Sequence, residues 1–229
     1  MDMIKVELIG ERIDVEDLQF VLKTVEWKIV LENNIFYLCN HSIDTYTDPN
    51  DIVSLIKEFL DILNGATKIL YDDHKFVTIG NIIKEENDGK KHFVMLADSI
   101  SLRSRFRATL TVAGQKSDKA EPTSVEVWLS KAENSPRVRD VLHFFNQMTW
   151  WNLYKVFEVV RDDIGIEEIK KLIDNERLKT FREAAQSKDY IGDLARHATE
   201  KCRPPEKDIT LTESYHLIKS LFEKWVDSK

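Results

Sequence analysis

The apolar residues change their spacing part-way along this chain of 229 residues. Up to about residue 133 they recur mostly at every second position, as in β-strands, apart from one long helical stripe. From residue 134 onward they recur at intervals of three and four, as in amphipathic helices. Because a strand and a helix repeat with different periods, the two parts need different architectures. The sequence predicts an α+β domain over 1–133 and an α-helical domain over 134–229.

The first part contains several strand-like runs. "VEWKIVL" and "IFYLCN" flank "ENN", a pattern typical of a β-hairpin. "KFVTIGNIIKE" and "KHFVMLADSI" flank an Asp-Gly turn and predict a second hairpin. "LRSRFRATLTV" and "VEVWLS" are interpreted as further strands. Short strands joined in this way favour an antiparallel sheet.

A long helix is predicted between the two hairpins. Asp48 can cap its N-terminus, and Pro49 suits its first turn. An apolar stripe then runs to Ile69, and Gly65 is a point where the helix could end or bend. We expect Phe59 and Leu63 to be buried against the sheet.

The second part shows helix signals throughout. Ser135 followed by Pro136 predicts a helix start, and Thr210 with Glu213 forms a capping-box pattern before the last helix. "TWWNLYKVFEVV" is apolar on nearly every side, so it is expected to be buried all round. Further helical patterns cover 166–173, 176–187 and 189–202.

Composition and charge exclude several classes of protein. The hydrophobic content of 42% is that of a globular chain, and the absence of a long apolar run predicts no membrane span. The N-terminus shows no signal-peptide pattern, and Cys39 and Cys202 lie far apart, which favours a reduced, cytoplasmic chain. The net charge of −7 arises within 1–133 and argues against general DNA binding.

The stretch "YIGDLARHATEK" carries the strongest candidate for chemistry. On a helix, Asp193 would orient the imidazole of His197, and Arg196 would stabilise a developing negative charge beside it. The alternative is structural: Asp193 caps the helix, and a His–carboxylate pair on its surface contributes only about 0.2–0.5 kcal/mol. Both interpretations remain open at this point.

The order of elements in 134–229 resembles the HEPN family of helical domains, many of which are RNA-cleaving toxins or defence proteins. In that family a long helix precedes an Arg…His motif, then a loop and a final amphipathic helix. Here "ARHA" precedes "CRPPEKDIT", and "LTESYHLIKSLFEKWV" follows. The family motif places Arg four to six residues before His, but positions 190–192 hold Tyr, Ile and Gly, so His197 alone matches. The resemblance implies self-association into a homodimer and a defence or toxin–antitoxin setting.

Two other groups are candidates for binding. Arg103, Arg105 and Arg107 alternate along one predicted strand, which places their guanidinium groups about 7 Å apart on one face. Such a row can bind phosphates or an acidic partner, or it can be a solvated face with ordinary ion pairs. Trp150, Trp151 and Tyr154 can stack on bases or form a partner surface, although aromatics at helical spacing are typical of a core.

No motif for a nucleotide, a metal or a nucleophilic serine is present, so no cofactor and no metal site are predicted. The leading hypothesis is a cytoplasmic binding or regulatory protein with a HEPN-like helical domain and an RNA or protein partner. The alternatives are a metal-independent ribonuclease that uses His197 and a structural subunit of a larger assembly.

Overall fold

The computed structural model describes residues 3–46, 48–85, 91–94, 121–195 and 203–229. The chain divides into two compact units, Met1–Leu129 and Ser130–Lys229. The first unit combines a sheet with helices and the second consists of helices, so the predicted α+β fold class is confirmed. The division between the units falls at residues 129 and 130, and the predicted domain boundary at 133 and 134 stays a prediction.

Among its described residues, the first unit contains an antiparallel sheet of five strands in the order β2-β3-β1-β4-β5. The strands are β1 (Met3–Ile9), β2 (Lys28–Glu32), β3 (Ile35–Cys39), β4 (Thr78–Glu85) and β5 (Lys91–Val94). The two predicted hairpins are therefore confirmed as β2–β3 and β4–β5. The predicted strand that contains Arg103, Arg105 and Arg107 lies outside the described residues.

The central strand, β1, has no counterpart among the sequence predictions. Its residues Ile4, Val6 and Leu8 are buried at every second position, as expected for one face of a strand. Lys5 lies between them and pairs with Glu32 at 2.8 Å and Glu85 at 3.5 Å. Burial by itself would lower the pKa of Lys5, but the hydrogen bonds and charges of these two carboxylates raise it above its ordinary value. The β1 strand therefore places a paired charge inside the sheet.

The β2–β3 hairpin turns at Asn33 and Asn34, which have φ angles of 49° and 66°. Two successive residues with positive φ form the tightest hairpin turn, and asparagine tolerates this conformation better than most residues. Glu32 pairs with Ile35 across the turn.

The helices α1 (Arg12–Val21) and α2 (Pro49–Leu70) accompany the sheet. They contact each other, and they also contact β2 and β4, respectively. Asp48 caps α2 by accepting a hydrogen bond of 2.8 Å from the Asn50 amide, so the predicted start is confirmed. Gly65 neither ends nor interrupts the helix.

The expectation for Leu63 is confirmed, since its side chain is fully buried, but the expectation for Phe59 is wrong. Phe59 is half-buried and stacks on Trp27 with ring centroids 4.3 Å apart. Leu60, one residue further along the helix, is the buried neighbour at this turn. At this turn the buried face of α2 therefore contains Leu60 and Leu63, and Phe59 lies at the edge of the core.

The predicted strand "VEVWLS" is a helix, α3 (Ser124–Asn134). Val125, Trp128, Leu129 and Ala132 are buried, which is helical spacing, while Val127 is 38% exposed. The Glu126 amide donates to the Thr123 hydroxyl at 3.2 Å, and the Thr123 amide donates to Glu126 at 2.9 Å. This reciprocal pair is a capping box, a start signal that outweighs the β propensity of the valines.

The second unit is built from helices that follow α3. They are α4 (Pro136–Phe144), α5 (Trp150–Ile164), α6 (Ile166–Leu172), α7 (Asn175–Gln186), α8 (Lys188–Ile191) and α9 (Leu211–Asp227). The predicted caps at Ser135 and Thr210 are confirmed, and Thr210 forms the full capping box with Glu213. Fully buried aromatic side chains, among them Phe145, Phe157 and Phe222, form the core. No helix in the described part of the chain is long and apolar enough to cross a bilayer.

Among its described residues, the predicted helix over 189–202 is confirmed over 189–191 and is wrong after that. The helix α8 ends at Ile191, and Gly192 has a φ of 62°, which glycine adopts without strain. A short 3₁₀ turn, Gly192–Leu194, follows. Leu194 is 67% exposed, so it does not continue a buried apolar stripe.

Candidate functional site

The structure describes one of the three residues predicted for chemistry. Asp193 lies in the 3₁₀ turn after α8, and its side chain is 99% exposed. Its carboxylate is 3.8 Å from Lys188 Nζ, a distance that allows a weak ion pair. Arg196 and His197 lie outside the described residues, so their relation to Asp193 stays a prediction. The row formed by Arg103, Arg105 and Arg107 also stays a prediction.

Asp193 borders a groove in the second unit. The groove encloses a cavity of about 430 Å³ and is lined by Met148, Trp151, Asp193, Leu194 and Leu211, among others. Met148 is 37% exposed, Trp151 46% and Leu194 67%. We call the surface formed by these three side chains and Asp193 the 148–194 groove. It places three large exposed apolar side chains beside one carboxylate.

The N-terminus of α5 positions one wall of the 148–194 groove. The Thr149 hydroxyl caps this helix by accepting a hydrogen bond of 3.1 Å from the Asn152 amide. Trp150 is buried and stacks on Phe181, with ring centroids 6.3 Å apart. Successive helical residues point in directions about 100° apart, so Trp151 is turned toward solvent. The expectation that this segment is buried all round is therefore wrong at Trp151.

A lysine contacts the exposed tryptophan. Lys155 is one helical turn after Trp151, and its Nζ lies 5.3 Å from the centre of that ring. The same ammonium group is 4.9 Å from the ring of Phe144. A cation over an aromatic face contributes about 0.5–1 kcal/mol at an exposed position. These contacts hold Trp151 in place at the groove.

The opposite wall depends on Tyr190, the first residue of the stretch that contains Asp193. Its hydroxyl accepts a hydrogen bond of 2.9 Å from the Ile209 amide and donates one of 3.2 Å to the Ile209 carbonyl. Ile209 is buried and lies two residues before the first residue of α9, Leu211. The tyrosine therefore fixes the turn with Asp193 and Leu194 relative to the start of α9.

A second cluster lies in the first unit and consists of residues that were not proposed as a site from the sequence. Asp14 and Asp17 lie on α1, and His74 lies between α2 and β4. All three side chains are buried, and one ligand atom of each lies within 4.8 Å of the other two. Among the described residues, this is a group with the types and the spacing that can hold a metal ion.

No protein-family model, curated protein or solved structure matches this chain. The resemblance to HEPN domains therefore rests on the order of the helical elements and on His197. Function has to be inferred from the surfaces and clusters of the chain itself.

The 148–194 groove is hard to predict from the sequence. Met148 and Leu194 both fall at helical spacing from other apolar residues, and hydrophobicity alone does not distinguish a buried from an exposed apolar side chain. Gly192 was the available signal, since a glycine with positive φ commonly follows the last residue of a helix. If the helix ends at Ile191, Leu194 lies outside it and does not belong to its buried face.

Proposed function

We propose that this protein is a binding or regulatory protein whose helical unit recognises a protein segment through the 148–194 groove. The observation that carries the proposal is the joint exposure of Met148, Trp151 and Leu194 around one cavity. Isolated exposed apolar residues are common, whereas a contiguous group beside a cavity is typical of an interaction site.

The residue types favour a protein ligand with an apolar anchor. Tryptophan is enriched among the residues that dominate binding energy, and the flexible methionine adapts to different partners. A cavity of about 430 Å³ can hold one or two large side chains. The exposed carboxylate of Asp193 at the same groove favours a Lys or Arg next to the anchor. The ligand that fits is therefore a short segment with an apolar and a basic residue.

A protein segment fits this groove better than RNA does. RNA binding needs positive charge for the phosphates and free aromatic faces for the bases. The groove instead presents the carboxylate of Asp193, and Lys155 already lies over the ring of Trp151. A cytoplasmic location and a defence or toxin–antitoxin setting belong to the same proposal, and the HEPN resemblance supports them.

Selection from a random peptide library displayed on phage tests the proposal with the full chain. We expect the selected peptides to share an apolar and a basic residue. Binding is then measured by fluorescence anisotropy with labelled synthetic peptides. Leu194→Glu should weaken it at least tenfold, or about 1.4 kcal/mol, because a carboxylate replaces an apolar contact. Asp193→Asn should reduce both the affinity and its salt dependence.

Leu31→Glu is the matched control, because Leu31 is 44% exposed in the first unit and lies outside the groove. The proposal fails if no peptide family is enriched, or if the peptides bind Leu194→Glu as tightly as the wild type. Analytical ultracentrifugation tests whether a second copy of the chain occupies the groove. A wild-type dimer that dissociates in Leu194→Glu would assign the groove to that second copy. Binding of labelled single-stranded RNA that is lost in the same variant would assign it to nucleic acid.

A further inference from the structure

We propose that Asp14, Asp17 and His74 form a binding site for a divalent transition-metal ion, with Zn²⁺ as the best fit. The site lies in the first unit and is independent of the proposed function. Asp14 is 1% exposed, Asp17 8% and His74 3%. Two carboxylates and an imidazole in an interior are costly unless positive charge compensates them.

The buried side chain of Asn64 determines which nitrogen of His74 carries a proton. The amide nitrogen of Asn64 donates to the carbonyls of Leu60 and Val77, each at 2.8 Å. The side-chain oxygen of Asn64 accepts a hydrogen bond of 2.8 Å from the backbone amide of Val77. If the side-chain amide of Asn64 were rotated by 180°, its NH₂ group would face the N–H of Val77, so two donors would meet. This same oxygen is 3.1 Å from Nε2 of His74. Nε2 therefore donates a proton to Asn64.

The other ring nitrogen faces the two carboxylates. Nδ1 of His74 is 3.7 Å from Oδ1 of Asp14 and 3.7 Å from Oδ2 of Asp17. It is buried and has no hydrogen-bond partner among the described residues. In the neutral ring with a proton on Nε2, Nδ1 carries a lone pair. Three electron-donating atoms from three side chains thus converge on one buried point.

The spacing suits a metal ion better than a proton. Tetrahedral Zn²⁺, with bonds of about 2.0–2.1 Å, holds neighbouring ligand atoms about 3.4 Å apart. The two separations from His74 Nδ1, 3.7 Å each, exceed this by only a few tenths of an ångström, and all three ligand atoms lie within 4.8 Å of one another. A charged hydrogen bond from a doubly protonated ring would bring N and O to about 2.7–2.9 Å. The geometry therefore favours an ion between the three side chains.

The surroundings resemble those of known metal-binding histidines in their chemistry. A ligating histidine commonly donates its second N–H to an oxygen that fixes the orientation of the ring, and Asn64 supplies that oxygen here. Asp14 is held by the Lys75 amide, which donates to its Oδ1 at 2.9 Å. One imidazole and two carboxylates are a ligand set that suits Zn²⁺ and other transition ions better than Mg²⁺. An ion here would join α1 to the segment that follows α2.

Calorimetric titration of the full chain with Zn²⁺ after dialysis against EDTA tests the site. We expect one tight Zn²⁺ site per chain and a rise of several degrees in melting temperature at saturation, because the ion binds the folded state alone. Co²⁺ should bind to the same protein and give the visible absorption of a tetrahedral complex. Mg²⁺, run in parallel, should leave the melting temperature unchanged.

Asp17→Asn is the main variant, because it conserves the side-chain volume at the most exposed of the three positions. It should weaken Zn²⁺ binding at least tenfold and remove the shift in melting temperature. His74→Asn should do the same if it folds. His41→Ala is the matched control, since His41 is an exposed histidine 3.3 Å from Asp44 in the same unit, and its loss should change nothing. The proposal is overturned if the wild type binds no ion stoichiometrically. It is also overturned if Asp17→Asn binds Zn²⁺ like the wild type.

Discussion

The indole nitrogen of Trp225 donates a hydrogen bond of 2.8 Å to Oδ2 of Asp163. The other oxygen of this buried carboxylate, Oδ1, accepts from Nη1 of Arg137 at 2.5 Å, and Lys229 pairs with Oδ2. Burial by itself would raise the pKa of Asp163, but the hydrogen bonds from Lys229, Trp225 and Arg137 outweigh it and lower the pKa. This carboxylate therefore connects three separate parts of the helical unit.

Replacing Asp163 by Asn should lower the free energy of unfolding by about 1–3 kcal/mol at neutral pH, because the neutral amide offers its cationic partners no charge and replaces one of the two acceptor oxygens by a donor. A lowered pKa stabilises the fold above the unfolded value of about 3.9, and this contribution is lost as the pH falls through the folded pKa. Urea denaturation should therefore show the two proteins converging below about pH 4. Asp162→Asn is the control, because Asp162 is an exposed neighbour paired with Arg161. A difference that does not depend on pH would contradict this account.

Replacing Glu126 by Gln should destabilise the first unit, by about 1.5–3 kcal/mol. One oxygen of Glu126 accepts the amides of Lys23, at 2.5 Å, Thr24 and Val25, at 3.1 Å. Burial by itself would raise the pKa of Glu126, but these amides and that of Thr123 lower it. The stabilisation is therefore present above the unfolded value of about 4.3 and is lost as the pH falls through the folded pKa.

Hydrogen exchange measures this effect directly. The amides of Lys23 and Val25 should exchange faster in Glu126→Gln, because the neutral side chain is a weaker acceptor. Glu133→Gln, at an exposed position on the same helix, is the control and should leave these amides protected. Equal protection in both variants would show that the carboxylate does not hold this turn.

Truncating Leu63 to Ala should cost about 2–5 kcal/mol, since its side chain is fully buried and the change leaves a cavity. Phe59→Ala should cost less, because Phe59 is half-buried. A double-mutant cycle of Phe59 with Trp27 should give a coupling of about 0.5–1.5 kcal/mol for the stacked pair. Thermal or urea unfolding of the wild type, the three single variants and the double variant measures both the truncation costs and the coupling. A larger loss for Phe59→Ala than for Leu63→Ala would place Phe59 inside the core after all.

Replacing His197 by Ala should lower the melting temperature by several degrees and leave partner binding intact, as expected of a structural residue. The competing hypothesis, a metal-independent ribonuclease, makes the opposite prediction. Cleavage of RNA in the presence of EDTA would then fall at least tenfold, with an unchanged melting temperature, because the proton carrier is lost. Measuring the melting temperature and the RNA cleavage of the same preparation separates the structural role of His197 from the catalytic one. His41→Ala provides the control for removal of an exposed histidine.

Local signals predicted much of the fold, because they act over a few residues. The caps at Asp48, Ser135 and Thr210 satisfy amides within the next helical turn, so their side chains are sufficient to place a helix start. The Asn33–Asn34 turn likewise needs only its own backbone preference. Thr123 and Glu126 are a local signal of the same kind, since their capping box marks the start of α3.

The sequence by itself determined where most helices and hairpins begin, and which faces are apolar. Only the tertiary structure decided how each helix is rotated on its neighbours, which exposes Trp151 and brings Phe59 to the edge of the core. It also decided that His74 meets Asp14 and Asp17, which are distant from it along the chain. The physical reason is that capping and turn preferences depend on adjacent residues, whereas burial and side-chain convergence depend on the packing of whole elements.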